Sequence, residues 1–176
     1  EYRGDVPMPY TYGRNGTPTS AAFEGAIADI YNADSCISAP SGLAAITTAL
    51  LAFTKAGDHM LFPDSLYGSS RRFVSQMLPA MGVAVEFYPP RINDGIEAYI
   101  KPETTLIYVE SPGSLTFELQ DLPAIVTAAR RQNVAAASIT IMVDNTWGTA
   151  LHYPVLSLGA DVVVEAGHWS WLQLPA

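Results

Sequence analysis

The sequence predicts an α/β protein with a mostly parallel sheet flanked by helices. Short apolar, β-branched runs alternate along the chain with helical segments, a pattern typical of strand–helix–strand units joined by right-handed crossovers. Of the 176 residues, 49% are hydrophobic and 15% are charged, which indicates a buried core rather than disorder. The length suits one ordinary domain.

The clearest strand is the run at residues 139–143, Ile-Thr-Ile-Met-Val, which carries no charge and stops at Asp144. Such a run is typical of a central strand buried on both faces. Open α/β sheets bind their ligands at the carboxyl ends of the strands, so Asp144 is a candidate partner for a cationic ligand group such as a protonated ring nitrogen. The alternative is that Asp144 only caps the following turn.

The other elements are predicted in chain order. Pro, Gly and Tyr are frequent in residues 1–16, which predicts an extended arm. Thr17 or Thr19 then caps a helix that runs to about residue 32, with Phe23, Ile27 and Ile30 as its apolar stripe. Further strands are predicted at residues 36–39, 59–62, 83–88, 104–109 and 160–164, further helices at residues 40–55, 69–82, 95–100 and 121–132, and a loop at residues 145–154.

Three further features are candidate binding groups. Ser41, Gly42 and Leu43 stand between a predicted strand and a helix start, where backbone N–H groups and the helix dipole hold phosphate, although any tight strand–helix turn needs small residues as well. Tyr12 and Arg14 are two residues apart, so in an extended arm both side chains would point the same way. Tyr67 follows a predicted strand, where its ring would either stack on a planar ligand or pack within the loop.

Composition excludes several classes of function. The net charge of −8 gives no basic surface for nucleic acid or for an anionic membrane, and no apolar run approaches the roughly 20 residues of a spanning helix. A single cysteine, Cys36, rules out an internal disulfide and agrees with a cytoplasmic protein. The three histidines lack metal-ligand spacing, and no Gly-x-Gly-x-x-Gly turn supports a dinucleotide site.

Taken in order, several motifs resemble the Cys/Met-metabolism family of pyridoxal-5′-phosphate enzymes, over the chain from about residue 12 to residue 167. We expect the large cofactor-binding domain of the aspartate aminotransferase-like, type I fold, incomplete at its C-terminus. The motifs are Tyr-Gly-Arg-Asn-Gly-Thr-Pro-Thr at 12–19, Pro-Ser-Gly-Leu-Ala-Ala at 40–45, Ala-Gly-Asp-His at 56–59, Leu-Tyr at 66–67, Glu-Ser-Pro-Gly-Ser-Leu-Thr-Phe-Glu at 110–118, Val-Asp-Asn-Thr-Trp at 143–147 and Leu-Gly-Ala-Asp at 158–161.

The resemblance implies roles for individual residues. Asp144 is expected to hold the pyridine nitrogen protonated, Tyr67 to stack on the ring, and both count as catalytic. The remaining expected cofactor contacts are Tyr12 and Arg14, reaching into a neighbouring subunit of a homo-oligomer, and Ser41, Gly42, Leu43 and Thr146 within the same chain. Residues 111–114 are expected at the strand end near an amino-acid substrate such as cystathionine.

The sequence departs from the family pattern near its end. Where the family has Thr-Lys, whose lysine forms the Schiff base with the cofactor, this chain continues from Gly167 with His168-Trp-Ser-Trp. The two lysines of the sequence, Lys55 and Lys101, stand elsewhere. We therefore expect a fragment made of an arm at 1–16, a partial cofactor-binding domain at 17–167 and a divergent tail at 168–176, without a C-terminal domain and without turnover.

Two functions remain open at the level of sequence. The first is a carbon–sulfur lyase of transsulfuration and methionine biosynthesis, cleaving cystathionine to homocysteine, pyruvate and ammonia. Gly-Ser-Leu-Thr-Phe-Glu and Trp147 favour such a β-lyase over the γ-synthases and γ-lyases of the family. The second is a non-catalytic or misfolded remnant of such an enzyme that at most binds pyridoxal phosphate.

Overall fold

The computed structural model describes residue 10, residues 12–132 and residues 138–167. The chain divides into two compact units between Ser38 and Ala39, and each is described by itself. The prediction of an arm at 1–16, a domain at 17–167 and a tail at 168–176 is not tested by this division and stays a prediction. Much of the arm and all of the tail lie outside the described residues.

The first unit contains one α-helix with the predicted start. α1 spans Pro18–Tyr31, and Thr17 caps it because the Thr17 hydroxyl accepts a hydrogen bond from the Ser20 N–H at 3.1 Å. The Ser20 hydroxyl in turn accepts from the Thr17 N–H at 2.9 Å, so two backbone donors at the helix start are satisfied reciprocally. Asn32 ends the helix in the left-handed conformation, with φ of 50°.

Three predictions for this unit are wrong. Residues 13–15 are not extended but form the 3-10 helix Gly13–Asn15, closed by a bond from the Asn15 N–H to the Tyr12 carbonyl. Phe23 is 56% exposed, so the predicted apolar stripe of α1 is not buried. Residues 36–39 form no strand, because the Ser38 N–H donates to the Glu24 carboxylate at 2.8 Å rather than to a neighbouring strand.

The second unit contains a five-stranded sheet in which every described pairing is parallel, with strand order β2-β1-β3-β4-β5. The parallel sheet predicted from the sequence is therefore confirmed. The strands are β1 His59–Pro63, β2 Ala84–Tyr88, β3 Thr104–Glu110, β4 Thr140–Asp144 and β5 Val162–Val164. The helices are α2 Gly42–Ala52, α3 Gly68–Ala80, the 3-10 helix Asn93–Tyr99, α4 Leu122–Arg131 and α5 Thr149–His152.

Strands β1, β3 and β4 are buried on both faces, as their apolar runs predict, whereas β2 contains Glu86 and is only partly buried. On one face, Met60, Leu106 and Met142 form a single apolar cluster with side chains of α2 and α3. On the other face, alternate residues such as Leu61 and Ile141 are fully buried as well. α4 and the 3-10 helix Asn93–Tyr99 pack against each other and provide a further apolar layer. In the described residues, no helix combines the length and apolar character needed to cross a membrane.

Three elements differ from the sequence prediction. α2 ends at Ala52 rather than at residue 55, because the Thr54 hydroxyl donates to the Leu50 carbonyl at 2.6 Å and competes with the helical bond. The predicted loop at 145–154 contains α5, whose first residue, Thr149, has a φ of 52°. The predicted helix at 95–100 is a 3-10 helix that begins at Asn93.

We predict that Leu61→Ala lowers the free energy of unfolding by about 2–5 kcal/mol, because Leu61 is fully buried at the centre of the sheet and truncation leaves a cavity. Urea denaturation followed by circular dichroism measures the change. Leu119→Ala is the matched control, since Leu119 is 71% exposed, and it should change stability by less than about 0.5 kcal/mol. Equal losses in the two variants would contradict the assignment of Leu61 to the core.

Candidate functional site

A cavity lies at the carboxyl ends of the strands. Its volume, about 440 Å³, is in the range of roughly 300–1,000 Å³ that is typical of small-molecule sites. The ends of β3 and β4 line it, together with the starts of α2 and α3 and Ala166 beyond β5. Six of the eight site residues predicted from the sequence meet there. They are Ser41, Gly42, Leu43, Tyr67, Asp144 and Thr146.

The start of α2 forms one wall of the cavity. Ser41 caps the helix, its hydroxyl accepting from the Ala44 N–H at 3.1 Å, and the first intrahelical bond runs from the Ala45 N–H to the Ser41 carbonyl. The N–H groups of Gly42 and Leu43 precede that bond, so they are the donors that a helix start offers to an anion. A Cβ at Gly42 would lie 2.6 Å from the Ala166 Cβ, and this close approach requires glycine at the first helical position.

Asp144 lies at the end of β4 and is only 7% exposed. One carboxylate oxygen accepts from the Thr146 N–H at 3.0 Å and from the Thr146 hydroxyl at 2.7 Å, and the other accepts from the Tyr108 hydroxyl at 3.3 Å. Burial raises the pKa of Asp144, while the hydrogen bonds from Thr146 and Tyr108 act to lower the pKa. Asp144 therefore caps the turn and also lines the cavity, and its pairing with a cationic ligand group stays a prediction.

Glu110 is a second buried carboxylate, which sequence reasoning did not single out as a site residue. It ends β3, is 2% exposed and pairs in register with Asp144 across the β3–β4 ladder. Its carboxylate accepts from the Tyr67 N–H at 2.8 Å and from the Ser114 hydroxyl at 2.5 Å. Burial raises the pKa of Glu110 to about 7, and the Asp144 carboxylate adds to the rise. Hydrogen bonds from the Ser114 hydroxyl and from the backbones of Tyr67 and Ser114 oppose it.

Aromatic side chains flank the cavity. Tyr67 immediately precedes α3 and its side chain is accessible, with 44% of the residue exposed. Trp147 follows Thr146, is 53% exposed and contacts the Phe117 ring edge-on, with the ring centroids 5.5 Å apart. An accessible aromatic surface beside a polar floor is suited to a planar ligand that also carries charge.

The other two predicted site residues, Tyr12 and Arg14, belong to the first unit. There the Arg14 guanidinium lies over the Tyr12 ring, 5.1 Å from its centroid, so the two side chains are on the same side of this segment although the segment is not extended. Both residues are exposed. Their expected role at the cofactor of a neighbouring subunit stays a prediction.

Both lysines of the sequence lie near the amino ends of the strands, at the opposite end of the sheet from the cavity. Lys55 precedes β1 and is exposed, and Lys101 precedes β3, where its ammonium group pairs with the Glu86 carboxylate at 2.5 Å. Strands of this length separate the two edges by roughly 16 Å. Among the described residues, no group of histidine, cysteine or acidic side chains has a metal-binding arrangement.

The carboxyl ends of this parallel sheet bring together a helix start, a buried aspartate and an aromatic side chain, a combination suited to a small anionic ligand with a planar, basic ring. The model of the Cys/Met metabolism PLP-dependent enzyme family matches residues 3–169, and the chain belongs to that family. The cofactor of the family is pyridoxal phosphate, which has the phosphate, the ring and the basic nitrogen that these features suit.

Known proteins support this assignment. The chain is 37% identical over 155 residues to cystathionine beta-lyase MetC of Escherichia coli, covering 88% of this chain and 38% of that protein. It is 38% identical over 161 residues to the L-alanine/L-glutamate racemase of Wolbachia pipientis, covering 92% and 38%. The crystal structure of metB from Corynebacterium glutamicum matches with a TM-score of 0.84 at 28% identity, covering 92% of this chain and 41% of that chain.

Two conclusions follow from these matches. The fold is that of the large domain of type I pyridoxal-phosphate enzymes, as expected from the resemblance of the sequence motifs. The chain also spans only about two fifths of the length of the proteins it matches. The activity, substrate and partners of the whole protein are therefore matters of proposal.

We predict that Glu110 makes the protein less stable as pH rises from about 4.5 to about 7. Its folded pKa lies above the ordinary 4.5, so within this window the folded protein holds a proton that the unfolded chain has released. The total effect is at most about 3 kcal/mol. Urea denaturation across this pH range should show a shallower fall for Glu110→Gln than for the unaltered protein.

Glu103→Gln is the matched control, because Glu103 is exposed and lies at the other end of β3. Its pH profile should follow that of the unaltered protein. Asp144 also has a raised pKa and contributes in the same direction, so some slope should remain in Glu110→Gln. Identical slopes for Glu110→Gln and the unaltered protein would contradict the raised pKa.

Proposed function

We propose that the described residues form the cofactor-binding part of a pyridoxal-phosphate-dependent carbon–sulfur lyase that cleaves cystathionine to homocysteine, pyruvate and ammonia. The observation that carries this proposal is the shared cavity of Asp144, Tyr67 and the Ser41 turn. These features supply a buried acid, an aromatic surface and a helix start for a phosphate group. The similarity to a cystathionine beta-lyase supports the choice of substrate.

The residues present fit pyridoxal phosphate. Gly42 has no side chain of its own beside the N–H groups of the helix start, and a Cβ there would collide with the Ala166 side chain. The N–H groups of Gly42 and Leu43, with the Ser41 side chain beside them, would hold the phosphate. Tyr67 would lie against the ring, and Thr146 would support Asp144 through the two hydrogen bonds it donates.

When bound, pyridoxal phosphate supplies an electron sink for carbanion chemistry at the substrate Cα. Asp144 would keep the ring nitrogen protonated, which makes that sink strong. The three donors on its carboxylate favour the charged form against the cost of burial, so Asp144 is able to act as an anion in a largely dry site. The Asp144 carboxylate is therefore the residue on which we expect ligand affinity to depend most.

A second candidate function, binding of the cofactor without turnover, is favoured by the positions of the lysines. Turnover in this family needs an amine beside the cavity to hold the cofactor and to move the proton at Cα. Lys55 and Lys101 precede β1 and β3, at the edge of the sheet away from Asp144. His168 stands at or next to the position matched to the family's lysine, and an imidazole forms no stable imine. We propose that this 176-residue polypeptide does not turn over cystathionine.

Two further features stay predictions. Self-association through residues 1–16, with Tyr12 and Arg14 serving the site of a second copy, is supported by the exposure of both side chains. Location in the cytoplasm is supported by the use of a single cysteine, Cys36.

We predict that Asp144→Asn weakens pyridoxal phosphate binding by about 10- to 100-fold, because a hydrogen bond to a charged group is replaced by one to a neutral amide. Titration of the full chain with pyridoxal phosphate, followed by absorbance and by quenching of tryptophan fluorescence, measures the affinity. Asp94→Asn is the matched control, since Asp94 is exposed and lies in the 3-10 helix Asn93–Tyr99. Equal affinities in the two variants would remove Asp144 from the site.

We predict that borohydride traps no cofactor at the cavity and that the chain releases no pyruvate from cystathionine. Any label trapped on a lysine should map by mass spectrometry to Lys55 or Lys101, whose uncharged amine forms can condense with the cofactor aldehyde away from the cavity. The variant Lys55→Arg/Lys101→Arg should then carry no label, while its affinity for pyridoxal phosphate stays unchanged. Pyruvate release by the purified chain would refute the proposal of binding without turnover.

A further inference from the structure

Glu110 is a buried carboxylate that has no role in the proposed function. It is 2% exposed, lines the cavity and stands beside Asp144 at the end of the neighbouring strand. A buried carboxylate is costly unless its oxygens are well satisfied, and a second acid close by increases that cost. Its partners in the structure are neutral donors, the Tyr67 N–H and the Ser114 hydroxyl.

The two donors belong to different loops of the cavity. Tyr67 ends the turn between β1 and α3, and Ser114 lies in the loop that follows β3. These loops also touch directly, because the Ser114 N–H donates to the Ser65 carbonyl at 3.3 Å. A Cβ at Gly113 would lie 2.5 Å from the Ser65 Cβ, so the approach is close enough to require glycine. Glu110 thus joins β3, the β1–α3 turn and the loop after β3 at one corner.

The position of the Tyr67 ring depends on this corner. The residue is 44% exposed, so packing constrains its side chain only in part. Its backbone N–H, by contrast, donates a hydrogen bond at 2.8 Å to the carboxylate of Glu110, an acceptor that can carry a negative charge. Hydrogen bonds from a backbone N–H to a carboxylate are about twice as strong as those between neutral groups. The Glu110 carboxylate therefore holds the backbone N–H of Tyr67, while the Tyr67 carbonyl accepts from the Arg71 N–H of α3 at 2.8 Å.

We propose that Glu110 is a positioning residue of this site, which fixes Tyr67 at the cavity by binding its backbone N–H while Ser114 orients the carboxylate. This inference rests on the proposed function in so far as Tyr67 contacts the cofactor. Glu110 acts through Tyr67.

Protonation of Glu110 controls the strength of the anchor. The pKa of Glu110 is raised to about 7, so the carboxylate changes charge near neutral pH. The groups that face Glu110 are Asp144 from β4, Tyr88 from β2 and Tyr108 from its own strand. None of these is a cation, and an ionised Asp144 disfavours ionisation of Glu110. The anchor is strongest above about pH 7, where the carboxylate accepts both hydrogen bonds.

The direct test is the backbone amide signal of Tyr67 in a ¹⁵N-labelled sample of the full chain. We expect that signal to titrate with a midpoint at about pH 7, following the charge of its acceptor. Glu110→Gln should abolish the titration and leave the fold intact, since glutamine has the same shape. Glu103→Gln should leave the titration unchanged. A Tyr67 signal that titrates normally in Glu110→Gln would overturn the proposal.

Ser114→Ala provides a second test that leaves the carboxylate in place. The Ser114 hydrogen bond lowers the pKa of Glu110, so its loss should move the midpoint of the Tyr67 signal to higher pH. An unchanged or lower midpoint would contradict the part given to Ser114. Both readouts come from the protein without cofactor, so they stand even if pyridoxal phosphate does not bind and the proposed function fails.

The consequence for the ligand is tested by affinity. At about pH 8, Glu110→Gln should weaken pyridoxal phosphate binding by about three- to tenfold, whereas Glu103→Gln should leave binding unchanged. At about pH 6, where the unaltered protein carries protonated Glu110, the difference between it and Glu110→Gln should shrink. If the Tyr67 signal responds to Glu110 while affinity does not differ at about pH 8, Glu110 anchors the turn without serving the ligand, and the positioning role is refuted.

Discussion

The structure depends on the register between β3 and β4, which places two carboxylates side by side at the end of the sheet. Glu110 pairs with Asp144, and both are almost completely buried. Neighbouring strands are only about 5 Å apart, so the Asp144 carboxylate raises the cost of ionising Glu110. Burial is the main cause of the raised pKa of both carboxyl groups.

The surrounding chain supplies hydrogen-bond donors to these carboxylates. Thr146 serves Asp144 and also accepts from the Ala166 N–H at 3.0 Å, which joins the ends of β4 and β5. Ala166 in turn stands against Gly42, so the position of the helix start is linked to the same network. The Tyr67 N–H and the Ser114 hydroxyl donate hydrogen bonds to Glu110 in the same way. Hydrogen bonds to the two buried acids therefore join several of the loops that line the cavity, in addition to apolar contacts such as those of Leu66 in the β1–α3 turn.

Sequence patterns predicted the sheet well because its strands are buried on both faces. The uncharged runs at β1, β3 and β4 leave few alternatives, and the strand-final Asp144 was found from its run alone. Residues 36–39 show the opposite case, since a short apolar run is not a strand unless a neighbour accepts its backbone bonds, and here a glutamate side chain does so. The helix α5 was missed because it is a single turn following Asn145 and Thr146, which local propensity describes as a loop.

Glu110 shows why the candidate site was only partly predictable. It stands at a strand end like Asp144, but its importance comes from the register with β4, from the Tyr67 turn and from the Ser65–Gly113 contact. These are relations between segments far apart in sequence, and no single run of residues encodes them. Motif resemblance identified Tyr67 and Asp144 separately, whereas the carboxylate beside both became visible only when the strands were in register.

Because all the strands run in the same direction, the groups suited to hold a ligand and the two lysines lie at opposite ends of the sheet. Every strand end that faces the cavity contributes an acceptor or a small residue, and the strand beginnings carry the ammonium groups, with Lys101 engaged by Glu86. Since the strands are all parallel, no rotation of a side chain brings either lysine to Asp144. The acidic groups and the helix start that line the cavity come from residues 41–166. Holding a ligand and reacting with it are therefore separate demands on this fold: the groups proposed to hold the ligand lie at the carboxyl ends of the strands, and Lys55 and Lys101 do not.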